Sequence, residues 1–157
     1  EELDDVGVIG IFLGNFIKWD ARRQLGIVME EGFQVLDEPV QGTYTNYENL
    51  DCKFVGLHDY LKWLKYGFGR ATDHVGIDIR NHRMTRDEGL KLVKQYEGKL
   101  PRKYLSEVLA AMEMSEDEMF KVLDSWTNKS LFVCDDDGNL VRDAEGELIK
   151  RQYDNDS

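Results

Sequence analysis

The sequence is poor in the residues that build metal and redox centres. Its 157 residues include two cysteines, three histidines and two prolines. Cys52 and Cys134 stand far apart and form no Cys-x-x-Cys pair. Two such thiols read as free cysteines in a reducing compartment, so the expected location is cytoplasmic. His58, His74 and His82 follow one another at spacings of 16 and 8. That spacing fits no helical pair of ligands, and no metal is expected. Long apolar runs are also missing: nothing approaches the ~18 residues of a membrane helix. The longest candidate, Val6 to Ile17, contains glycines and an asparagine and stops at Lys18. It lacks the basic start and small-residue cleavage site of a signal peptide, and reads as a buried strand or core segment. Positive charge is scarce, with 20 Lys and Arg against 31 Asp and Glu and a net charge of −11. That excludes a general nucleic-acid binder and disfavours an anionic membrane surface.

What is present is globular: 41% hydrophobic and 32% charged residues, enough for one domain with a real core. The charge is uneven. Much of the Lys and Arg lies between residues 53 and 103, while both ends are acidic. A local basic site in an acidic protein suits a small anion. No internal repeat is apparent. Asp20 and Gly32 bracket a predicted helix over 21–31. Residues 34–52 read as an extended loop, of a length that often serves function. Leu57, Tyr60, Leu61 and Leu64 mark one helical face, and Gly67 can end that helix in a left-handed conformation. A second helix is expected to enter at Gly69 or Arg70. Thr85–Glu88 is a capping box ahead of Leu90, Val93 and Tyr96, with a stop at Gly98. Pro101 suits the first turn of the next helix, which carries Leu105, Val108, Leu109 and Met112. Ser115–Glu118 is a second capping box, with Met114 and Met119 as a hydrophobic staple, opening a helix to about Trp126. After Asn128 short apolar runs alternate with Asp-Gly and Glu-Gly turns, which reads as a β-hairpin or small meander with a polar end. The predicted fold is therefore mainly α: a helical region over 1–130 with a strand-like N-terminal segment, and a small β-hairpin tail over 131–157.

Three stretches invite a functional reading. DDDGN at 135–139 suggests an EF-hand loop, but that alignment places Val133 at the first ligand position and Ala144 at the last. A tight turn fits better. KYGFGRATDH at 65–74 places Gly67 and Gly69 around Phe68, with Lys65, Arg70 and Arg80 flanking them. This is an interhelical turn, or a loop whose backbone donors and arginine hold a phosphate or carboxylate. GTYTNY at 42–47 offers four hydroxyls and an amide, the makings either of an exposed strand or of a sugar site with a tyrosine to stack on the ring.

The order FLGNFIKWD, GTYTNYENLDCK, LHDYLKWLKYGFGRATDHVGIDIRN and MTRDEGLKLVKQYEG resembles the C-terminal part of the N-acetyl sugar amidotransferases of lipopolysaccharide O-antigen and nonulosonate biosynthesis. The resemblance covers roughly residues 8 to 130. Its most specific part is GFGRAT followed by DIRN and MTRDEG. It implies an ATP pyrophosphatase domain of the PP-loop type that adenylylates an acetamido oxygen, after which ammonia from a glutaminase partner displaces AMP. The family's S-G-G-x-D-S loop is absent here, so the resemblance implies ATP with magnesium in the whole enzyme and none in this chain. The non-Met start and the missing loop lead us to expect a C-terminal fragment of a longer protein, inactive alone.

The implied substrate is a nucleotide-linked acetamido sugar. Lys65, Arg70 and Arg80 are implied to bind phosphate or carboxylate. Thr43, Tyr44, Thr45 and Asn46 are implied to hold the sugar or its acetamido group. His58 and Asp73 would orient substrate or ammonia, and Gly67, Gly69 and Thr72 complete the segment. No catalytic residue is assigned. A different reading makes the helical piece a non-catalytic docking module for the glutaminase. The sequence admits a homo-oligomer without specifying one.

Overall fold

The structure is a computed structural model that describes residues 5–152. It divides into two units, Glu1–Gln34 and Val35–Ser157. The first carries one α-helix among its described residues, α1 (Ala21–Glu30), capped by Asp20, whose carboxylate accepts from the Arg22 N–H at 3.2 Å. The expected strand ahead of it is not formed. Residues 6–17 hold only a 3-10 turn, Leu13–Asn15. Val8, Ile9, Ile11, Phe12, Phe16 and Ile17 are each more than half exposed, which corrects the expectation of a buried segment. An apolar run becomes a strand only where a neighbouring strand takes its N–H and C=O groups, and none of the described residues does so.

The second unit holds five helices among its described residues. They are α2 (Val55–Tyr66), α3 (Arg70–Arg80), α4 (Arg86–Tyr96), α5 (Leu105–Ala111) and α6 (Glu116–Trp126). The mainly α expectation holds. Both predicted capping boxes form, at Thr85–Glu88 and Ser115–Glu118. Met119 is buried and Met114 packs on the same core. Gly67 ends α2 at φ +76°, a left-handed conformation that a side chain would strain. Pro101 corrects the pattern reading. The helix it was expected to open begins only at Leu105, and Pro101 instead packs on Gly56, where an added Cβ would come within 2.8 Å of the ring. Leu90 likewise lies 49% exposed, because α4 meets α3 along its Gly89 side. A Cβ at Gly89 would approach Val75 to 2.4 Å, so the missing side chain sets how closely these helices pack.

The core joins Leu57, Tyr60, Trp63 and Leu64 of α2 to Leu105, Val108, Leu109, Met119 and Leu123 of α5 and α6. Phe132 and Leu148 complete it, so the segment after residue 130 is built into the core. Trp63 meets Phe132 edge-on at 4.8 Å between ring centroids.

That segment is neither a β-hairpin nor without repetition. Isolated antiparallel bridges pair Cys134 with Leu140, Arg142 with Leu148 and Phe132 with Lys150. The Val133 N–H donates to the Ile149 carbonyl, Ile149 to Val141, and Val141 back to Val133, at 2.9, 3.2 and 3.0 Å. Three segments offset by eight residues thus close a ring. The sequence carries the repeat as V-x-D-x-x-G-x-L at 133–140 and 141–148, beginning again at Ile149. Asp135 and Asp143 play the same part in the two copies. Each carboxylate accepts from the N–H groups two and four residues on, at 2.8 to 3.0 Å. Phe132, Leu140 and Leu148 occupy one position of the repeat, and all three face the helical core.

Candidate functional site

The polar residues singled out by the sequence converge on α3. Arg70, His74 and Asp78 recur at i, i+4 and i+8, one face of the helix. This face is covered by the loop running from Leu36 to Lys53. His74 is the hub: Nδ1 lies 2.6 Å from the Thr43 hydroxyl and 3.2 Å from that of Thr45, and Nε2 lies 2.7 Å from a Glu48 oxygen. A carboxylate only accepts, so in the neutral ring Nε2 carries the proton and Nδ1 accepts from the threonines. Thr43 is 0% exposed and His74 5%. The array therefore has the composition of a hydroxyl–imidazole–carboxylate relay without an accessible hydroxyl, and it serves to hold the loop. The His74 hydrogen bond, assisted by the charge of Arg70, holds the Glu48 carboxyl below its ordinary range against the opposing effect of burial.

Arg70 forms a two-pronged pair with Asp59 of α2, at 2.6 and 2.8 Å. Asp59 is 5% exposed, so the guanidinium is its compensation for burial. Asn49, left-handed at φ +55°, turns its amide oxygen to the Arg70 Nη atoms at 2.6 and 2.7 Å, the orientation that gives a donor-only guanidinium an acceptor. The hydrogen bonds to Asp59, with the nearby carboxylates, raise the Arg70 pKa further. Asp78 accepts from Tyr44 Oη and from Arg83 Nε, each at 2.7 Å. Asn46 secures the far side of the loop by donating to the Leu36 carbonyl at 2.5 Å.

The α3 N-terminus, expected to face an anionic ligand, already has occupants. The Ala71 N–H donates to the Gly42 carbonyl at 3.2 Å, and the Thr72 N–H to a Glu97 carboxylate oxygen at 2.6 Å. A side chain from the end of α4 thus supplies the negative charge that a helix start attracts. Gly69 is the N-cap, and a Cβ there would touch Glu97. The Gly67 carbonyl accepts from the Lys150 ammonium.

The structure brings Thr43, Tyr44, Thr45, Asn46 and Arg70 into one network, with Gly69 and Thr72 at its edge. It does not bring in the others. Lys65 sits 4.4 Å over the Trp126 ring, and Asp73 pairs with Lys62. His58 and Arg80 are exposed on α2 and α3. Sequence reasoning left Glu48, Asn49, Asp59, His74, Asp78 and Glu97 out of the site. The i, i+4, i+8 recurrence of Arg70, His74 and Asp78 was the available signal, since three polar residues on one face of a helix need partners. Among the described residues no cluster of His, Cys, Asp and Glu could hold a metal, and no helix is long and apolar enough to cross a membrane.

Beside the network the loop walls a cleft of about 200 Å³, closed on its other side by residues 101–108. Gln41 spans its end by accepting from the Lys103 N–H at 2.8 Å. A smaller space of about 20 Å³ beneath Arg70 and Glu97 is too small for a sugar.

Comparison with known families bears on the loop, the network and the cleft together. No curated protein matches the chain. A family model described as "LPS biosynthesis protein WbpG-like, C-terminal domain" matches residues 41–144, which take in the Thr43–Asn49 loop, all five helices of the second unit and the first copy of the octapeptide repeat. The match covers more than half of the chain, and the chain belongs to this family of C-terminal domains of lipopolysaccharide biosynthesis proteins.

Proposed function

We propose that the chain is the substrate-binding C-terminal part of an ATP-dependent amidotransferase. In this reading the enzyme converts the acetamido group of a nucleotide-linked sugar to acetamidino during O-antigen biosynthesis. The observation that carries the reading is the loop of residues 36–53, fixed on one side to α3 by a buried network and open on the other to a cleft of about 200 Å³. Such a wall, pre-formed and locked by side chains behind it, is what positions a substrate for a reaction elsewhere in the enzyme.

The chemistry needs two exchanges at one carbon. The acetamido oxygen attacks the α-phosphorus of ATP and pyrophosphate leaves. Ammonia then adds to the activated carbon and AMP departs with the oxygen, leaving C=N in place of C=O. This chain has no S-G-G-x-D-S loop, so its own share is to bind and orient. Thr43, Tyr44, Thr45, Asn46, Arg70 and Thr72 set the wall. His58 and Arg80 stay exposed to an incoming ligand, while Lys65, Gly67, Gly69 and Asp73 hold the α2–α3 corner. The test is AMP release by the native polypeptide that carries this chain, supplied with magnesium, ATP, ammonium and a nucleotide-linked acetamido sugar. Sugar-dependent AMP with a product one mass unit lighter supports the reading. ATP turnover that ignores every acetamido sugar overturns it.

One observation favours a second reading, a docking module for the ammonia-supplying glutaminase. Within residues 6–19 eight apolar side chains and Trp19 are more than half exposed, the mark of a surface that meets another protein. Capture of a glutaminase that is lost in Phe12→Asp and Phe16→Asp would support it, and equal capture by those variants would count against it.

A further inference from the structure

The outer face of α6 carries an ordered pattern that the cleft and the loop do not use. Glu118, Val122 and Trp126 recur at i, i+4 and i+8 and are all exposed, while Met119 and Leu123 enter the core from the other side of the helix. Val122 is 44% exposed and Trp126 56%. The three differ in kind along the axis: an acid, an aliphatic residue, then an aromatic one. The acidic end is strengthened by Glu116 and Asp117 in the same first turn. At the other end Lys65 of α2 lies 4.4 Å over the Trp126 ring, covering one of its faces, and Tyr66 stands exposed beside it in the chain. Glu118 also serves the capping box, and its bonds from the Ser115 N–H and hydroxyl both go to Oε2. Oε1 is left for a cation outside the helix. Between the ends Ser125 presents a small surface, with its hydroxyl already donated to the Val122 carbonyl at 2.7 Å.

A surface that is acidic at one end, apolar in the middle and cationic at the other complements its own reverse. Turned about a two-fold axis, α6 meets α6 antiparallel, and each end finds the opposite sign. The axis then falls on Val122. Four residues to either side, Glu118 faces the partner's Trp126 and the ammonium of the partner's Lys65. The helix dipoles oppose each other in the same arrangement, which is their favourable order. An unrelated protein would have to supply an acid, an aliphatic residue and a cation-capped aromatic in reversed order, which α6 itself supplies. We propose that this face joins two copies of the chain as a symmetric dimer, with Val122 on the axis and the Glu118 to Lys65–Trp126 contact on both sides. Aromatic side chains with a basic neighbour are what anchor such contacts. A patch of so few side chains suits a weak, reversible association. The proposal goes beyond the amidotransferase reading and does not depend on it.

The test is sedimentation equilibrium of the 157-residue chain under reducing conditions, over a series of concentrations, joined to oxidative cross-linking of cysteine variants. The natural chain, 18.2 kDa, should approach twice that mass as concentration rises. Val122→Asp brings two carboxylates together on the axis, and Trp126→Ala removes the anchor. Each should weaken association by about tenfold or more, with circular dichroism melting little changed because both positions are exposed. Phe12→Asp, in the N-terminal unit, should leave association as it was. Cross-linking reads the axis itself. Val122→Cys should form a disulfide-linked dimer in yield above that of the natural chain, whose Cys52 and Cys134 set the background. Ser125→Cys should not, since its two copies lie about 9 Å apart along antiparallel helices, beyond the reach of a disulfide. A chain that stays monomeric at every concentration overturns the proposal. So does association that Phe12→Asp abolishes and Val122→Asp spares, or equal cross-linking at positions 122 and 125. The AMP assay decides the amidotransferase reading separately in every case.

Discussion

His74 Nε2 lies 2.7 Å from a carboxylate oxygen of Glu48, and this contact ties the middle of the long loop to the middle of α3. Both partners lose it if either is removed. His74→Ala also strands the Thr43 and Thr45 hydroxyls in a buried site. We expect a loss of about 2–4 kcal/mol in urea unfolding, because each abandoned buried group costs its own desolvation. Thr45→Val should cost less, since Thr43 makes the shorter contact.

The same pair sets a pH dependence. The Glu48 carboxyl is depressed in the folded chain, so the folded state binds its proton less readily than the unfolded state. The stability it contributes is present above the ordinary value of 4.5 and is lost as pH falls through the depressed one. Unfolding free energy measured from pH 6 downward should therefore fall less steeply in Glu48→Gln than in the natural chain. Parallel curves would remove Glu48 as a source of acid sensitivity.

Tyr60 makes the alkaline counterpart. Burial is the main cause that pushes its phenol up to about 12. A raised pKa means that the folded state keeps the proton longer. The contribution is complete below the unfolded value of about 10 and is lost between there and about 12. Two units correspond to roughly 3 kcal/mol. Tyr60→Phe should flatten the alkaline limb of a stability–pH curve, and an unchanged limb would place the alkaline loss elsewhere.

Arg70→Ala leaves Asp59 buried and unpaired, for a loss of about 3–5 kcal/mol. Lysine should restore little of it, because one ammonium cannot supply the two parallel bonds of a guanidinium. Thermal unfolding of Arg70→Ala, Arg70→Lys and the double variant Arg70→Met/Asp59→Leu checks this. The double variant should be the most stable of the three.

Phe132→Ala removes a fully buried ring from against Trp63 and should cost about 3–5 kcal/mol. A chain ended at residue 130 should lose the cooperative unfolding transition, read by circular dichroism. A sharp transition in the shortened chain would show the helices to be independent of the tail.

The helices were legible because their signals are local. Thr85 and Glu88, or Ser115 and Glu118, recognise a helix start from within four residues. Gly67 marks an end for the same reason. The site was only partly legible. Thr43, Tyr44 and Arg70 were visible as polar residues in suggestive company, but their partners lie 11 to 34 positions away. Nothing in a window of ten residues says that Glu48 will meet His74, or that Glu97 will reach back to cap α3. The apolar run at 6–17 misled for the opposite reason. Its composition suits burial, yet burial needs a neighbour that composition does not supply. The octapeptide repeat was present in plain letters, and was obscured because Asp-Gly and Glu-Gly turns read equally well as hairpin corners.

The closed ring of Val133, Val141 and Ile149 fixes a copy number. A ladder can gain or lose a rung at its end, but a triangle cannot lose a side. Deleting one octapeptide would leave two segments facing each other with one set of donors and acceptors unanswered. Inserting one would ask a fourth segment to enter a figure that has no opening. Substitution at the corners around Asp136 and Ala144, by contrast, leaves the count unaltered.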